Sequence, residues 1–472
     1  MKIFFYLFFL LYMKLHSNSI SNNLKEVGNI KYLEFSFKRN ITSEETSNPK
    51  EFFKKYFYNQ LYINLNVGSN KKEIPFYFYL EQFPIVIQSS NVSNSQVKGI
   101  YNESQSSTYI PISTQTFTLG DLDYAIKSKD SFFFNNKDST FKFYLAKNNR
   151  EDSHITEGGK IGFQFSPNYS EEDDTSFINN LKENNIISSK IFTFKYDSEN
   201  INEDSGKLYI GAHPYEFNNE QYKEDNYKRY ESNFKEELDV EWAYNIDDIY
   251  INNKILTTKV IDNAFFYSEI GFIIASKNFF EYLEEFETWN EYFHNNNKCN
   301  QIDFEINDFE EFDYSGKFRY PFTGYYCHKD VDIKKLNIGE ISFTKRLMDY
   351  SFNFTEKDLW VEKNGFKYFM IVKLNSFDKN WFFGKPFFKK YQLVFEHESK
   401  YIGLYKEIIQ KTDKKSNKTG KTFVYILIIC LLLLIIVGLA ILLIKCYLAL
   451  PRKKRANELS DENYDYSEKI NS

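Results

Sequence analysis

The chain has 472 residues, which is enough for two or three domain-sized units, each with its own core. Its 59 basic and 65 acidic residues give a net charge of −6, and no basic patch of the kind that binds nucleic acid stands out. Its 49 phenylalanines and 37 tyrosines can reflect biased genome composition, so aromatic content alone does not indicate a carbohydrate or nucleic-acid platform.

The N-terminus has the pattern of a secretory signal. Residues 3–12 form an apolar run behind a single lysine, and ten residues are too few to cross a bilayer. We therefore expect residues 1–19 to be a cleaved signal peptide. Residues 20–50 are polar and weakly patterned, which is compatible with a leader, a pro-like N-terminal arm or an ordered edge strand.

The region from 51 to 410 predicts an all-β fold. Short alternating segments are separated by Asn and Gly turns, and they indicate two packed lobes, 51–235 and 236–410. Typical predicted strands are 61–67, 207–211 and 248–252. Helical patterns occur at 176–183 and 276–289.

Two stretches in this region echo each other, 78–87 and 266–274. They begin Phe-Tyr-Leu-Glu and Phe-Tyr-Ser-Glu, and an apolar run rich in Ile follows each within a few residues. β-prone residues around a short polar break are typical of strand, tight loop, strand. Tyr79 and Tyr267 are 188 residues apart, which indicates an internal duplication on the scale of a lobe; chance repetition of common aromatic residues is the alternative.

The C-terminal part predicts a membrane anchor. Residues 423–444 contain no charge and a basic cluster follows, so this segment is typical of a transmembrane helix whose C-terminal side is cytosolic. A linker, 411–422, precedes it, and an acidic cytosolic tail, 445–472, follows. We therefore expect a single-pass membrane protein with a lumenal or extracellular ectodomain, at the cell surface or in an endomembrane or secretory compartment.

Modification sites are consistent with that topology. Cys430 lies within the predicted membrane helix, and Cys446 beside it is a candidate for palmitoylation. Six Asn-x-Ser/Thr sequons are candidate glycosylation sites, and their function-free interpretation is surface exposure. They begin at Asn40, Asn91, Asn102, Asn168, Asn353 and Asn417.

The order of motifs over residues 56–405 resembles that of the pepsin-like aspartic peptidases. Five segments follow the family's order with the echoing loops between them: 61–68, Ser-Ser-Thr-Tyr at 106–109, 159–162, 205–211, and the closing strands within 381–404. The resemblance implies a bilobal, pepsin-like double β-barrel. It also implies that the two echoing stretches are the family's two catalytic loops.

In that family each loop carries an aspartate, and the two carboxylates share one water, one as base and one as acid. The resemblance places Tyr79 and Tyr267 at those positions, and a phenol with an ordinary pKa near 10 is a poor base at neutral or acidic pH. Glu81 and Glu269 replace the turn glycines, and the stretch 118–121 lacks the tyrosine of the family's flap. The resemblance therefore implies a pseudo-peptidase without catalytic residues, metal or cofactor.

Two alternatives would keep an active peptidase. Asp262 stands in a segment that loosely resembles a catalytic loop, although counting from the turn at Asn252-Asn253 favours Tyr267, and Asp262-Asn263 suits a tight turn. Glu81 and Glu269 stand at symmetric positions and could form a makeshift dyad. Otherwise these carboxylates are ordinary loop residues in solvent.

Cys299 and Cys327 lie 28 residues apart on the lumenal side. The resembled family carries a disulfide in this region of its second lobe, and an oxidising compartment favours one here. His294 and His328 flank the pair, so a zinc site is the alternative, although its spacing fits no common zinc pattern.

The expected function follows from these interpretations of the sequence. We expect a membrane glycoprotein whose interlobe cleft binds a peptide or protein by main-chain hydrogen bonds and side-chain pockets without cleaving it. The enzyme alternative is an active aspartic endopeptidase that uses a displaced residue such as Asp262. The third class is a structural surface glycoprotein with no ligand in the cleft. No nucleic-acid partner is expected.

Overall fold

The structure is a computed structural model, and it describes most of the chain between residues 23 and 405. The described ranges are 23–39, 48–58, 60–80, 84–90, 101–119, 122–135, 137–148, 158–164, 175–197, 204–232, 242–256, 262–275, 277–295, 298–306, 320–344, 351–375 and 380–405. The predicted signal peptide, membrane helix and cytosolic tail lie outside these ranges. Within the ranges, no helix has both the length and the apolar character needed to cross a bilayer.

The described residues are mostly β, as the sequence predicts. The strands of the first half are β1 (Leu24–Val27), β2 (Ile30–Arg39), β3 (Leu61–Val67), β4 (Lys72–Tyr79), β5 (Ile85–Gln88), β6 (Ile110–Leu119), β7 (Leu122–Phe134), β8 (Lys137–Asn148), β9 (Gly159–Gly162), β10 (Ile191–Tyr196), β11 (Ser205–Ile210) and β12 (Lys228–Glu231). Those of the second half are β13 (Ala243–Ile246), β14 (Asp248–Ile251), β15 (Lys254–Ile255), β16 (Asp262–Phe266), β17 (Ile273–Ala275), β18 (Cys299–Ile306), β19 (Tyr320–His328), β20 (Glu340–Thr344), β21 (Ser351–Thr355), β22 (Trp360–Lys363), β23 (Phe366–Phe369), β24 (Ile371–Leu374), β25 (Asn380–Phe383), β26 (Leu393–Glu396) and β27 (Tyr401–Leu404).

Helices are few and short. They are α1 (Pro49–Phe57), α2 (Phe177–Glu183), α3 (Pro214–Phe217), α4 (Lys277–Glu284), α5 (Glu287–Asn290), α6 (Glu356–Leu359) and α7 (Lys385–Lys390). The predicted helix at 176–183 is present as α2, with Ser176 as its N-cap. The pattern at 276–289 is divided between α4 and α5 because Phe286 has an extended backbone, which interrupts the helix there.

Six strands of the first half close into a barrel. Neighbours run β3, β4, β9, β5, β8 and β7, and β7 pairs back with β3 through Val67 and Phe132. The alternating side chains of β3 explain this placement, since Leu61, Ile63 and Leu65 point into the core and leave at most 3% of their surface exposed. The barrel thus encloses the apolar face that the alternation predicts.

One three-strand arrangement occurs in both halves. In the first half β9 lies between a parallel β4 and an antiparallel β5, and in the second half β25 lies between a parallel β16 and an antiparallel β17. Ile161 pairs with both Phe78 and Ile85. Phe383 pairs in the same way with Phe266 and Ile273, 188 residues after those two partners. The echo in the sequence therefore corresponds to a repeated register. We call residues 79–84 the first loop and residues 267–272 the second loop.

A sheet of palindromic order joins the two halves. Its strands run β12, β27, β26, β10, β11 and β2. The hairpin β26–β27 pairs with the hairpin β10–β11 at the centre, and β12 and β2 flank them on the two sides. At the centre Phe192 pairs with Phe395, and their rings stack with centroids 4.9 Å apart. β2 comes from the segment 20–50 and pairs with both β11 and β3, so this part of the segment is an internal strand.

Helix α1 departs from the sequence expectation, which has no helix before residue 176. Asn48 caps it by accepting a hydrogen bond from the Lys50 N–H at 2.9 Å, and Pro49 occupies the first turn. Its buried side chains are Phe52, Phe53 and Phe57. The helix could not be recognised from the sequence, because phenylalanine, tyrosine and lysine are equally common in the strands and its apolar stripe is short.

Candidate functional site: the two tyrosine loops

Tyr79 and Tyr267 occupy matching positions, because each directly follows a phenylalanine held in the repeated register. Their surroundings differ. Tyr79 is half-buried, and the Lys160 ammonium lies over its ring, 5.3 Å from the centroid. Tyr267 is 7% exposed and meets the ring of Phe382 edge-on at 5.3 Å. Lys160 and Phe382 are themselves matching residues of β9 and β25, so one tyrosine faces a cation where the other faces a hydrocarbon ring.

The second loop is buried. Ser268 is 2% and Glu269 is 5% exposed, and the Ser268 hydroxyl lies 3.3 Å from a Glu269 carboxylate oxygen. The expectation that Glu269 is an ordinary loop carboxylate in solvent is therefore wrong. Its partner in the suggested dyad, Glu81, lies outside the described residues.

The second loop is held between two segments. On one side Gly271 N–H donates to the Phe57 carbonyl at 2.6 Å, at the end of α1. On the other side the backbone N–H of Lys385 donates to the Ile270 carbonyl at 2.8 Å. A Cβ on Gly271 would lie 1.8 Å from the Tyr56 carbonyl oxygen, so this close approach requires glycine.

Asp262 lies away from the loop. It is the first residue of β16, where it pairs with Ile246, and it precedes Tyr267 by five residues. Five extended residues separate these two backbones by roughly 16 Å. The predicted tight turn at Asp262-Asn263 is wrong, because both residues belong to the strand. The turn at Asn252-Asn253 is present, and both residues have positive φ, 48° and 66°.

The Ser-Ser-Thr-Tyr motif anchors a buried carboxylate that sequence reasoning missed. Asp130, on β7, is fully buried and accepts hydrogen bonds from the hydroxyls of Ser106, Thr108 and Tyr101. It also accepts one from the Ser131 N–H at 2.7 Å. Four donors satisfy the carboxylate, so this constellation fixes the segment before β6 and offers no reactive base.

A second missed feature is a buried ion cluster behind the second loop. One oxygen of Asp204 lies 3.1 Å from Arg39 Nη1, and the other pairs with Lys385 Nζ. All three side chains are at most 4% exposed. Burial lowers the pKa of Lys385 to about 7 and outweighs the opposing effect of Asp204. Because Asp204 is 165 residues from Arg39, no short motif could have revealed the cluster.

β6 and β7 form a hairpin where the resemblance predicts a flap. Leu119 pairs with Leu122 at its tip, within the expected stretch 118–121. The two turn residues themselves lie outside the described ranges.

The predicted disulfide is present. Cys299 and Cys327 face each other across β18 and β19 and are bonded. Their sulfurs are therefore not thiolate ligands, which argues against the zinc alternative. Within the described ranges, no group of three or more His, Cys, Asp or Glu side chains is placed to hold a metal ion. His328 lies 3.0 Å from Asp330 on the surface.

Two sequon asparagines lie in the described residues. Asn102 caps a short 3₁₀ turn by accepting a hydrogen bond from the Ser104 N–H at 3.1 Å. Asn353 is 9% exposed, so the expectation of surface exposure is wrong for this residue. The other four, Asn40, Asn91, Asn168 and Asn417, lie outside the described ranges.

The chemistry open to the loops follows from these placements. A phenol donates and accepts hydrogen bonds, and with an ordinary pKa near 10 it does not activate water at neutral or acidic pH. Tyr79 lies beside the Lys160 ammonium, a cation that attracts polar and anionic groups, whereas Tyr267 meets the Phe382 ring. The chain matches no protein-family model, and no curated protein is significantly similar to it.

Proposed function

We propose that this chain is a catalytically inactive relative of the pepsin-like aspartic peptidases, with a bilobal double-barrel ectodomain that binds peptide or protein segments. The repeated register of β4–β9–β5 and β16–β25–β17 supports a duplicated, two-lobed architecture. The palindromic sheet that joins the halves supports it as well. The predicted anchor at 423–444 attaches the ectodomain to a membrane.

The observation that carries the proposal is the matched placement of Tyr79 and Tyr267. Peptide hydrolysis in this family needs two carboxylates whose pKa values are held apart by their closeness, one as base and one as acid. Phenols at both positions supply neither. Burial of the second loop also separates Tyr267 from any substrate.

The binding role rests on the first-loop side of the cleft that the family resemblance implies. Tyr79 and Lys160 are both half-buried, and the ammonium lies over the tyrosine ring. An extended peptide held by main-chain hydrogen bonds is the natural ligand of such a cleft. The ammonium of Lys160 favours a peptide with an acidic group near Tyr79.

A peptidase assay tests the inactivity. We expect the full-length chain to cleave no unfolded protein substrate between about pH 3 and pH 7, the range in which a carboxylate pair would work. We also expect it to bind no statine-type transition-state mimic, because the mimic's hydroxyl needs two carboxylates. Cleavage that Asp262→Asn abolishes and Tyr79→Phe leaves intact would overturn the proposal in favour of the displaced aspartate.

A peptide screen tests the binding role. We expect acidic extended peptides to bind the full-length chain, and Lys160→Met to weaken them at least about tenfold, the loss typical of a partly buried ion pair. Lys195→Met is the matched control, since Lys195 also lies over a tyrosine ring but stands on β10, which four other strands separate from β9. A diverse library without any binder would favour the structural glycoprotein.

A further inference from the structure

Residues 163 and 164, which follow β9, connect the first loop to other parts of the fold. We call these two residues the β9 exit segment. The Phe163 N–H donates to the Tyr79 carbonyl at 2.9 Å, and the Phe163 carbonyl accepts from the Trp242 indole N–H, also at 2.9 Å. The side chains of Phe163 and Trp242 are at most 1% exposed. The Tyr79 backbone is therefore held by a segment that a buried side chain holds in turn.

A histidine of the hairpin β26–β27 contacts the second residue of this segment. His397 directly follows β26, and its Nε2 lies 3.4 Å from the Gln164 carbonyl oxygen. Because a carbonyl oxygen only accepts, this hydrogen bond requires the hydrogen of the neutral imidazole on Nε2. The His397 backbone N–H donates to the Lys190 carbonyl at 2.8 Å, which fixes the histidine beside the start of β10. Contacts thus run from His397 through the β9 exit segment to Tyr79.

The surroundings of His397 disfavour a positive charge on its ring. Burial lowers the pKa of His397 from 6.5 to about 4; the hydrogen bond to Gln164 opposes this effect, and the ammonium groups of Lys190 and Lys400 add to it. Between these pH values the unfolded chain binds a proton that the folded chain lacks. The contribution of this histidine to stability is therefore complete above pH 6.5 and is lost as the pH falls to about 4.

The two carboxylates that flank His397 in the chain are engaged elsewhere. The Glu396 carboxylate accepts hydrogen bonds from the Tyr227 hydroxyl at 2.6 Å and from the Arg229 guanidinium at 2.8 Å. Glu398 is exposed to solvent, where water screens its charge. A proton on His397 would therefore meet two lysines without a dedicated counter-charge.

We propose that His397 is a pH-dependent positioning residue, which holds the β9 exit segment and the Tyr79 backbone in place at neutral pH and releases them in acid. Opening of the segment brings the protonated imidazole into water and away from Lys190 and Lys400. The first loop is then fixed in a neutral compartment and free to rearrange in an acidic one. This inference does not depend on peptide binding, because its test measures amide exchange without a ligand.

Hydrogen exchange of the full-length chain tests this proposal. The measured quantity is the protection of residues 159–164, which is the intrinsic exchange rate at each pH divided by the observed rate. We expect protection to fall at least about tenfold between about pH 7 and about pH 4.5, since the opened state takes up its proton in this range. Protection in β18 and β19, which the disulfide joins, should not follow this change.

Three variants assign the change to His397. His397→Gln keeps a side-chain N–H for the Gln164 carbonyl but does not titrate, so we expect its protection to stay at the neutral value in acid. His397→Lys carries a charge at every pH in this range, and we expect low protection throughout. His213→Gln is the matched control, because His213 is also a partly buried imidazole beside β26 but lies 3.8 Å from Glu396. It should keep the pH dependence of the parent.

The comparison of the parent with His397→Gln decides the outcome even if His397→Lys does not fold. The proposal is overturned if His397→Gln loses protection in acid as the parent does. It is also overturned if the parent shows no loss specific to residues 159–164, or if His213→Gln abolishes that loss.

Discussion

Asp204 lies between two buried cations, and the lysine on one side of it links the stability of the fold to pH. Burial lowers the pKa of Lys385 from 10.5 to about 7. Between these values the unfolded chain binds a proton that the folded chain has lost. The free energy of unfolding therefore rises with pH from about 7 to about 10.5 because of this group, and below pH 7 its charge destabilises the folded state.

Lys385→Met tests this linkage. The substitution removes the buried ammonium and leaves Asp204 paired with Arg39. We expect the variant to be as stable as the parent or more stable at pH 6, and to lose the Lys385-dependent rise above pH 7. Urea unfolding at pH 6, 8 and 9.5 measures the difference between the two proteins. A difference that does not change with pH would contradict the assignment.

Asp204→Asn should have the opposite effect. It leaves the buried Arg39 guanidinium without its counter-charge and removes the group that raises the pKa of Lys385, and breaking a buried ion pair on one side costs about 3–5 kcal/mol. Glu34→Gln is the matched control, because the Glu34–Lys207 pair is 25–35% exposed and such pairs contribute at most about 1 kcal/mol. Equal losses of unfolding free energy in the two variants would show that the cluster is not effectively buried.

At the scale of elements, α1 and the strand β19 fit together through one glycine. Gly324→Ala places a methyl group against the Phe53 ring, so we expect an overpacking loss of about 1–3 kcal/mol in unfolding free energy. Gly28→Asn is the control, since no atom lies within 4 Å of its Cβ position and asparagine tolerates its φ of 59°. A Gly324→Ala variant as stable as the control would mean that α1 does not press on β19.

The element scale also shows why α1 encloses the second loop. The loop carries apolar residues such as Ile270 and Phe272, which lie in one buried cluster with the phenylalanines of α1, and burying a side chain of this size is worth about 1.5–3 kcal/mol. Among the described residues, the matching cluster of the first half consists of Val86, Ala125, Tyr144 and Ala146. The two halves share a register, and in the part of the chain that the structure describes α1 packs on this face of the second half.

At the scale of the whole molecule, the pairing of β10 with β26 joins the two halves, and we expect them to unfold as one cooperative unit. Phe395 packs on Phe192 at 4.9 Å and on Trp242 at the same distance. We expect Phe395→Ala to cost about 3–5 kcal/mol and to lower the unfolding midpoints of both halves together. Ile110→Ala is the control, because Ile110 is 49% exposed on an outer strand. Hydrogen exchange in β4 and β16 reports on unfolding of the two halves, and different unfolding midpoints for these strands would contradict cooperative unfolding.

The sequence by itself determined the features that depend on neighbouring residues: individual strands, turns and helix ends. Alternation predicted β3, paired asparagines predicted the turn at 252–253, and Ser176 marked the start of α2. The repeated sequence around Tyr79 and Tyr267 corresponds to a repeated strand register in the structure, because a strand-loop-strand unit is specified within about a dozen residues. The cysteine pair, whose disulfide the resemblance implied, lies directly across one hairpin.

Tertiary structure alone decided the surroundings of the candidate site. Arg39, Asp204 and Lys385 come together from three distant segments, and Asp130 receives the hydroxyls of a motif more than twenty residues before it. Tyr267 belongs to the same buried apolar cluster as Phe57 of α1, which precedes it by 210 residues. Propensity and periodicity act over one or two turns of chain, whereas these placements depend on which apolar faces remain to be covered once the strands have paired.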